Sequence, residues 1–433
     1  MTTTPRNESL EPTRRDVLRG ASGALAASAL APRARAKGVP RPADEELKIG
    51  LVGCGARGTG AAANALRADP NVRLVALADV FADQVEGCLN NLKATEDVAA
   101  RVDVDEARRF VGFDAYRGVI ASCDVVLLAT SPHFRPQHVA AAVAAGRHLF
   151  VEKPVATDAP GLRAMRAACR EAAQKGLSLV SGLCYRYENA KRETMRRLHD
   201  GAIGDVVAMQ TTYNTGALWH RGRQPEWSDM EWQIRNWLYF TWLSGDHIAE
   251  QHIHSLDKMA WVMRDEYPLQ ATASGGRIVR TDPKFGNVYD HFNTVFEWKS
   301  GVRCFSSCRQ WSGAASDVSD WIWGTRGRAN VQRHRIEAGP WSWRWQSDEP
   351  DDMYQNEHDA LFASIRSGEP IDNGEYMCNS TMMAIMARMS AYTGQTITWE
   401  QAWSSLEDLS PPAYEWGDLP VAAVAQPGVT QFS

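Results

Sequence analysis

Three short groups of residues in this chain have the types and spacing that do chemistry. The first is Gly53-Cys54-Gly55-Ala56-Arg57-Gly58, with glycines at its first, third and sixth positions. Glycines so spaced permit a tight turn, let the backbone approach a pyrophosphate and let the next helix pack closely with its N-terminal amides aimed at the phosphates. Asp79 follows at the separation expected of a carboxylate that holds a ribose 2′-hydroxyl, and it would repel a 2′-phosphate. A dinucleotide is therefore predicted, with NAD preferred to NADP. The second group, Glu152-Lys153-Pro154, sets an ammonium beside a carboxylate. The third runs from Glu250 through His252 and His254 to Asp257, with His247 just before it. A neutral imidazole accepts a proton near pH 7, and a carboxylate one helical turn earlier can orient it and raise its basicity. No metal is predicted, because on a helix His252 and His254 point about 200° apart.

These groups need elements to carry them. Leu47–Val52 reads as a buried parallel strand feeding the glycine turn, followed by a helix over 57–68 and a second strand, Val72–Asp79, that ends in the carboxylate. A strand over 124–130, an alanine-rich helix around 139–145 and a strand at His148–Val151 continue the alternation. The pattern predicts a doubly wound parallel sheet, a Rossmann domain over 46–184, whose ligands sit at the carboxyl ends of the strands. Thr130, Glu152 and Lys153 fall at those ends, so the predicted cofactor set is Gly53, Gly55, Ala56, Arg57, Gly58, Asp79, Thr130, Glu152 and Lys153.

From about Asp205 the periodicity changes to strand alternation, at 206–213 and 291–298, with turn residues at Asn287 and Lys299-Ser300-Gly301. A largely antiparallel sheet with one exposed face is predicted for a second domain over 185–410, making the chain α/β plus α+β. Residues 411–433, opening on Pro411-Pro412, read as an extended arm.

Composition sets limits. A chain of 433 residues exceeds what one core serves, in keeping with two domains. A formal net charge of -5 supplies no broad basic face, which argues against nucleic acid as a partner. The 8 cysteines form no CxxC pair, Cys54 lies in the glycine turn and Cys123 and Cys169 lie in apolar runs, so free thiols are expected. Trp219, Trp227, Trp232, Trp237 and Trp242 interleave with Arg221, Arg223, Arg235 and Asn236. Aromatic planes beside forked donors suit a carbohydrate, and equally a packed aromatic insertion.

Residues 1–36 read as an address. Arg14-Arg15 precede a short, weakly apolar run, and Ala34-Arg35-Ala36 offers a small-x-small cleavage site, the order of a twin-arginine export signal. The run is too short to anchor the chain in a membrane. A passenger exported already folded, to the periplasm or beyond the cytoplasm, would carry its nicotinamide cofactor with it, tightly held and turned over in place.

The chain resembles the glucose-fructose oxidoreductase/inositol dehydrogenase (Gfo/Idh/MocA) family. The likeness rests on the glycine motif, Asp79, Ala145-Gly146-Arg147-His148 leading to Glu152-Lys153-Pro154, the H-x-x-D of His254 and Asp257, and Glu357-His358 through Tyr392-Thr393-Gly394, which looks like that family's late helix. The resemblance implies an NAD-dependent oxidoreductase acting on a CH–OH group of a sugar, polyol or sugar derivative. It implies that Lys153 and His254 carry the chemistry, with Glu250 where the family has Asp. It places Tyr185-Arg186-Tyr187, ending another strand, at the substrate, and with them Asp257. It further implies that the open sheet face pairs subunits into a homo-oligomer. Oxidising a carbinol needs a hydride acceptor, a base for the hydroxyl proton and positive charge near the alkoxide, which NAD, His254 and Lys153 would supply. A glycoside hydrolase acting by transient oxidation would use the same parts, and a non-catalytic NAD sensor is a third reading.

Overall fold

A strand covered on both faces has no need of alternation, and β1 (Leu47–Val52) is buried at every position but Lys48. In the computed structural model, which describes residues 36–433, it lies at the centre of a six-stranded parallel sheet. The chain runs through α1 (Ala56–Ala68), β2 (Val72–Asp79), α2 (Ala82–Ala94), β3 (Arg109–Val111), α3 (Ala115–Ser122), β4 (Val125–Leu128), α4 (Arg135–Ala144), β5 (His148–Val151), α5 (Ala159–Gln174) and β6 (Leu179–Ser181). The spatial order is β3-β2-β1-β4-β5-β6. The order reverses between β1 and β4, and that switch leaves a crevice at the carboxyl ends of the strands. The export signal read at residues 1–36 lies outside the described residues, save for Ala36.

The second sheet has nine strands: β7 (Val206–Thr215), β8 (Gln270–Gly276), β9 (His291–Glu297), β10 (Arg303–Gln310), β11 (Asp317–Gly324), β12 (Arg328–Asn330), β13 (Arg335–Ala338), β14 (Trp341–Arg344) and β15 (Ile397–Thr398). They pair in the order β14-β13-β12-β11-β7-β10-β9-β8-β15, antiparallel except where β7 and β10 run parallel. Alternation is plain in β10, where Cys304, Ser306, Cys308 and Gln310 are buried while Arg303 and Phe305 face out. The strand expected to reach Trp298 stops at Glu297. Trp298 is buried instead, its indole N–H donating to the Glu266 carbonyl at 2.9 Å.

Around these strands lie α6 (Asn189–His199), α7 (Asp229–Arg235), α8 (His247–Glu250), α9 (Ile253–Val262), α10 (Met353–Ser367) and α11 (Gly374–Thr393). The late helix expected across 357–394 is thus two helices, parted where Gly368 adopts φ 69° and Pro370 follows. Leu361, Phe362 and Ile365 of α10 join Leu47, Ile49 and Phe150 in the core on one side of the parallel sheet. Every residue of α11 except Glu375 and Tyr376 is buried. Lys37–Ser433 form one compact unit. Residues beyond 410 are without helix or strand and lie on the body, where the Trp416 ring is 4.9 Å from Phe113 and 5.6 Å from Phe81. All eight cysteines are buried and free. Among the described residues no helix is long and apolar enough to cross a membrane.

Candidate active site

The glycine turn has the geometry its spacing predicts. Gly53 has φ 97°, and a Cβ there would meet the Thr130 amide nitrogen at 2.5 Å; a Cβ on Gly58 would collide with the Gly53 carbonyl. A Cβ on Gly55 would meet nothing within 4 Å, so this part of the turn faces open space. Asp79 accepts from the Cys54 amide at 2.7 Å and the Phe81 amide at 3.1 Å, while burial pushes its carboxyl up. Thr130 Oγ1 is buried with no hydrogen-bond partner among the described residues. An open turn backed by β1, a strand-end carboxylate and an orphaned hydroxyl fit a dinucleotide.

A crevice of about 570 Å³ runs from this turn past Asp79 and Thr130, and its far wall is Trp219, Arg221, Arg235 and Trp237. The tryptophan-rich segment is therefore a wall of the cofactor crevice, as well as a packed cluster with Phe81 and Phe134. Arg235 latches it. Its guanidinium lies 3.8 Å from the centre of the Phe81 ring and makes two 3.1 Å bonds to Asp83. Asn236 closes the loop by accepting from the Arg221 amide at 2.8 Å and donating to its carbonyl at 3.1 Å.

At the end of β5, Glu152 is buried and held by Arg57, whose guanidinium also bonds Glu357 at 2.8 Å. The next residue, Lys153, is joined to Pro154 by a cis peptide. Its ammonium donates to the main-chain carbonyl of Glu250 and lies 3.7 Å from the Glu250 carboxylate. Buried Arg135 donates to the carbonyls of Pro154 and Thr130, tying the two strand ends together.

Glu250 does not orient His254 as its spacing predicts. Helix α8 ends at Glu250 and α9 starts at Ile253, so the two residues do not share one continuous helical face. The carboxylate instead serves Lys153, and neither its Oε2 nor His254 Nδ1 has a hydrogen-bond partner among the described residues. The neighbouring histidines are occupied: His247 Nδ1 lies 3.0 Å from Asp246, and His252 Nε2 lies 2.6 Å from Ser306 Oγ. His254 packs against Tyr185, ring centres 5.2 Å apart and 75° between planes. Burial pushes its pKa well below the ordinary value, and Lys153, Lys258, Arg57 and Lys191 push the same way, so the imidazole is neutral.

Arg186 and Asp257, expected at the substrate, are turned to each other. Arg186 Nε and Nη2 make bonds of 2.9 and 2.8 Å to the two oxygens of Asp257, and Nη2 reaches Asp265 at 2.6 Å. Ser380 Oγ donates to Asp257 at 2.8 Å, and Tyr376 covers the guanidinium at 4.3 Å. A buried, bidentate and covered pair is a structural tie, with no face left for a ligand. Tyr185 and Tyr187 lie on a 3₁₀ turn, Cys184–Tyr187, after β6 has ended. Sequence reasoning missed Lys191 and Lys258, buried beside Tyr185. Nothing in the sequence sets them apart: Lys191 stands among Arg192, Glu193, Arg196 and Arg197 of α6, and Lys258 follows Asp257 in α9. Among the described residues no group of three or more His, Cys, Asp or Glu is placed to hold a metal.

A Rossmann sheet with a dinucleotide turn, followed by a mostly antiparallel sheet domain, defines the architecture of a nicotinamide-dependent oxidoreductase. Residues 47–180 match the GFO_IDH_MocA oxidoreductase family, NAD-binding Rossmann fold, and residues 192–330 match the GFO/IDH/MocA C-terminal domain. The chain belongs to the Gfo/Idh/MocA oxidoreductase family and binds NAD. It is 28% identical over 179 residues to 2,7-anhydro-N-acetylneuraminate hydratase of Escherichia coli (strain K12), an overlap of 41% of this chain and 43% of that protein. It is 28% identical over 293 residues to inositol 2-dehydrogenase of Gluconacetobacter diazotrophicus, 66% of this chain and 74% of that one. The chain thus spans less than half the length of the hydratase it matches. The aldose-aldose oxidoreductase from Caulobacter crescentus complexed with glycerol shares the fold, with a TM-score of 0.63 and 21% identity over 82% of this chain and 100% of that one.

Proposed function

We propose that this protein passes hydride between a CH–OH carbon of a sugar, polyol or sugar derivative and tightly held NAD. The observation that carries the reading is the bond from the Lys153 ammonium, beyond β5, to the carbonyl of Glu250, four residues before His254. The charge of Lys153 is also felt at the His254 imidazole, which supports a cation from one half and a neutral imidazole from the other acting on one substrate beside the dinucleotide crevice. Bound NAD supplies the hydride acceptor. His254 takes the hydroxyl proton at a ring nitrogen, and Lys153 stabilises the charge that develops on the substrate oxygen. Glu250 holds Lys153 in place, and Tyr185 borders the substrate. Trp219 and Trp237 line the crevice in which the dinucleotide would lie.

Lys153→Met and His254→Gln, made separately, should each lower kcat by roughly 10²-fold or more while the purified protein keeps its nucleotide. Unchanged turnover in both variants rejects the assignment. A hydratase among the relatives favours a second reading, in which the same residues oxidise the sugar only transiently. Glycoside cleavage without added cofactor would decide for it, and accumulation of a keto sugar against it.

The export signal read at residues 1–36 adds that the protein crosses the membrane folded with NAD enclosed. Mass analysis of protein recovered outside the cytoplasm should find the nucleotide, and its absence rejects this part. Val207 and Phe305, 56% and 51% exposed on the nine-stranded sheet, support pairing of two copies through that face. Sedimentation as a monomer would count against it.

A further inference from the structure

An imidazole that moves protons needs its ring held, most often by a hydrogen bond to the second nitrogen. His254 Nδ1 has none among the described residues, and the nearby carboxylate of Glu250 is engaged with Lys153. What meets the ring is Tyr185, nearly perpendicular to it. Tyr185 in turn lies against two ammonium groups, Lys191 Nζ at 4.3 Å and Lys258 Nζ at 4.4 Å from its ring centre. These lysines are 1% and 0% exposed, and burying an ammonium is costly unless it is paired. Both are paired. Lys258 is matched by Asp320 of β11 and donates to Gln332 Oε1 at 2.6 Å; Asp320 also accepts from Thr211 of β7. Lys191 donates to Glu188 at 2.6 Å and lies 3.1 Å from His334 Nε2. Well-packed apolar residues of the same volume would stabilise the fold as well as such a network, so stability alone does not account for it.

We propose that Tyr185, gripped by Lys191 and Lys258, positions His254 in place of an orienting carboxylate, and that the two lysines are positioning residues for that base. The inference rests on reading His254 as the base. The groups that act on the imidazole are Lys153 beyond β5, Arg57 of α1, Lys191 of α6 and Lys258 one turn further along α9, with Glu250 bound to Lys153 nearby. Asp320 and Glu188 offset part of the charge of the two lysines. Tyr185 stays a neutral phenol, because burial pushes its pKa up to about 12. Cations that disfavour imidazolium keep His254 ready to accept, while the perpendicular contact with Tyr185, itself fixed by attraction between ammonium and ring, sets the direction in which it accepts.

The test follows the His254 imidazole by NMR in full-length, nucleotide-loaded protein with labelled histidine, the resonance being assigned by its loss in His254→Gln. Wild type should show one sharp resonance, and Tyr185→Phe the same. Tyr185→Leu should broaden or split it. Lys258→Met and Lys191→Met each remove a cation and should raise the proton affinity of His254 at least threefold, whereas Lys191→Arg should leave it near wild type. Should Lys258→Met fail to fold, because Asp320 is left unpaired, Tyr185→Leu and Lys191→Met decide the matter. A single resonance that titrates as in wild type in both of them overturns the proposal. The NMR readout needs no substrate, so a wild type that oxidises no polyol would defeat the proposed function while the positioning role is still judged on its own.

Discussion

The guanidinium of Arg57 and the carboxylate of Glu357, 300 positions apart in the chain, meet at 2.8 Å beside the crevice that Arg57 lines. With its other edge Arg57 holds Glu152, so one residue of the dinucleotide turn joins the end of β5 to α10. Burial opposes ionisation of Glu152, but the charges of Arg57, Lys153 and Arg135 outweigh it and hold that carboxyl low. Burial dominates at Glu357 and pushes its carboxyl well up.

Arg57→Met should therefore cost about 2–3 kcal/mol, short of the full penalty for a stranded buried charge because the Arg57 side chain is 33% exposed. Glu357→Gln, which replaces a carboxyl already pushed toward its neutral form, should cost under about 1 kcal/mol. Urea midpoints measure both, and the reverse ranking would contradict this account.

The latch of Arg235 on Phe81 and Asp83 bears on how long the cofactor stays. Arg235→Ala should speed exchange of bound NAD on the order of tenfold, the equivalent of ~1.4 kcal/mol, the size of a partly buried cation–ring contact with its ion pair. Isotope-labelled NAD chased into loaded protein gives the rate. An unchanged rate would mean that the wall does not gate release.

Asp257 separates a structural tie from a substrate contact. Asp257→Asn leaves Arg186 short of its main partner and should lower stability by about 3 kcal/mol or more, as breaking a buried pair does. Michaelis constants should hardly move. A large rise in KM with an unshifted thermal midpoint would return Asp257 to the substrate.

Acid should destabilise the fold from pH 6.5 downward. Burial pushes the pKa of His138 and of His252 down to about 3, whereas both sit near about 6.5 when unfolded. Between those values the unfolded chain binds the protons that the folded chain refuses, so stability is complete above pH 6.5 and falls toward pH 3, by up to ~1.4 kcal/mol per pH unit for each histidine. Asp290 behaves differently: burial would raise its carboxyl, but bonds from His291, the Arg280 and Val279 amides and Trp311 bring it to about 2. Its contribution is lost only below its unfolded value of about 3.9. Between pH 6.5 and 5 the histidines lower stability while Glu357, its carboxyl raised by burial, acts in the opposite sense, so the histidine part is read from a variant. His138→Phe, keeping the stack on Tyr116, should flatten the fall of the thermal midpoint there, and an unaltered slope would refute the assignment.

The parallel sheet was legible because buried strands carry unbroken apolar runs that glycine turns and carboxylates punctuate, and His148–Val151 emerges with the bounds its sequence implies. Glu250 was misread for a definite reason. A spacing of four places a carboxylate beside an imidazole only on an unbroken helix, and nothing in Gln251-His252 announces the break between α8 and α9. Nor is the pinning of α8 visible in the sequence, where Asp246 at φ 69° accepts from the Tyr392 hydroxyl and the Tyr289 amide. The tie of Arg186 to Asp257 and Asp265 spans 79 positions and has no local signature. Lys191 and Lys258 look like surface lysines until the fold supplies Glu188 and Asp320 as partners. The tryptophan segment admitted two readings because its role depends on where the loop lands, and composition does not encode that.

Helix α11 touches solvent at little more than Glu375 and Tyr376, and it packs against α5 of the first half as well as α9 and β8 of the second. Helix α10 likewise seals the far side of the parallel sheet. A segment that follows the second sheet in the chain thus completes the domain that precedes that sheet. Until residue 393 has left the ribosome, an apolar trough on each half stays uncovered, and neither half can finish as a free-standing module.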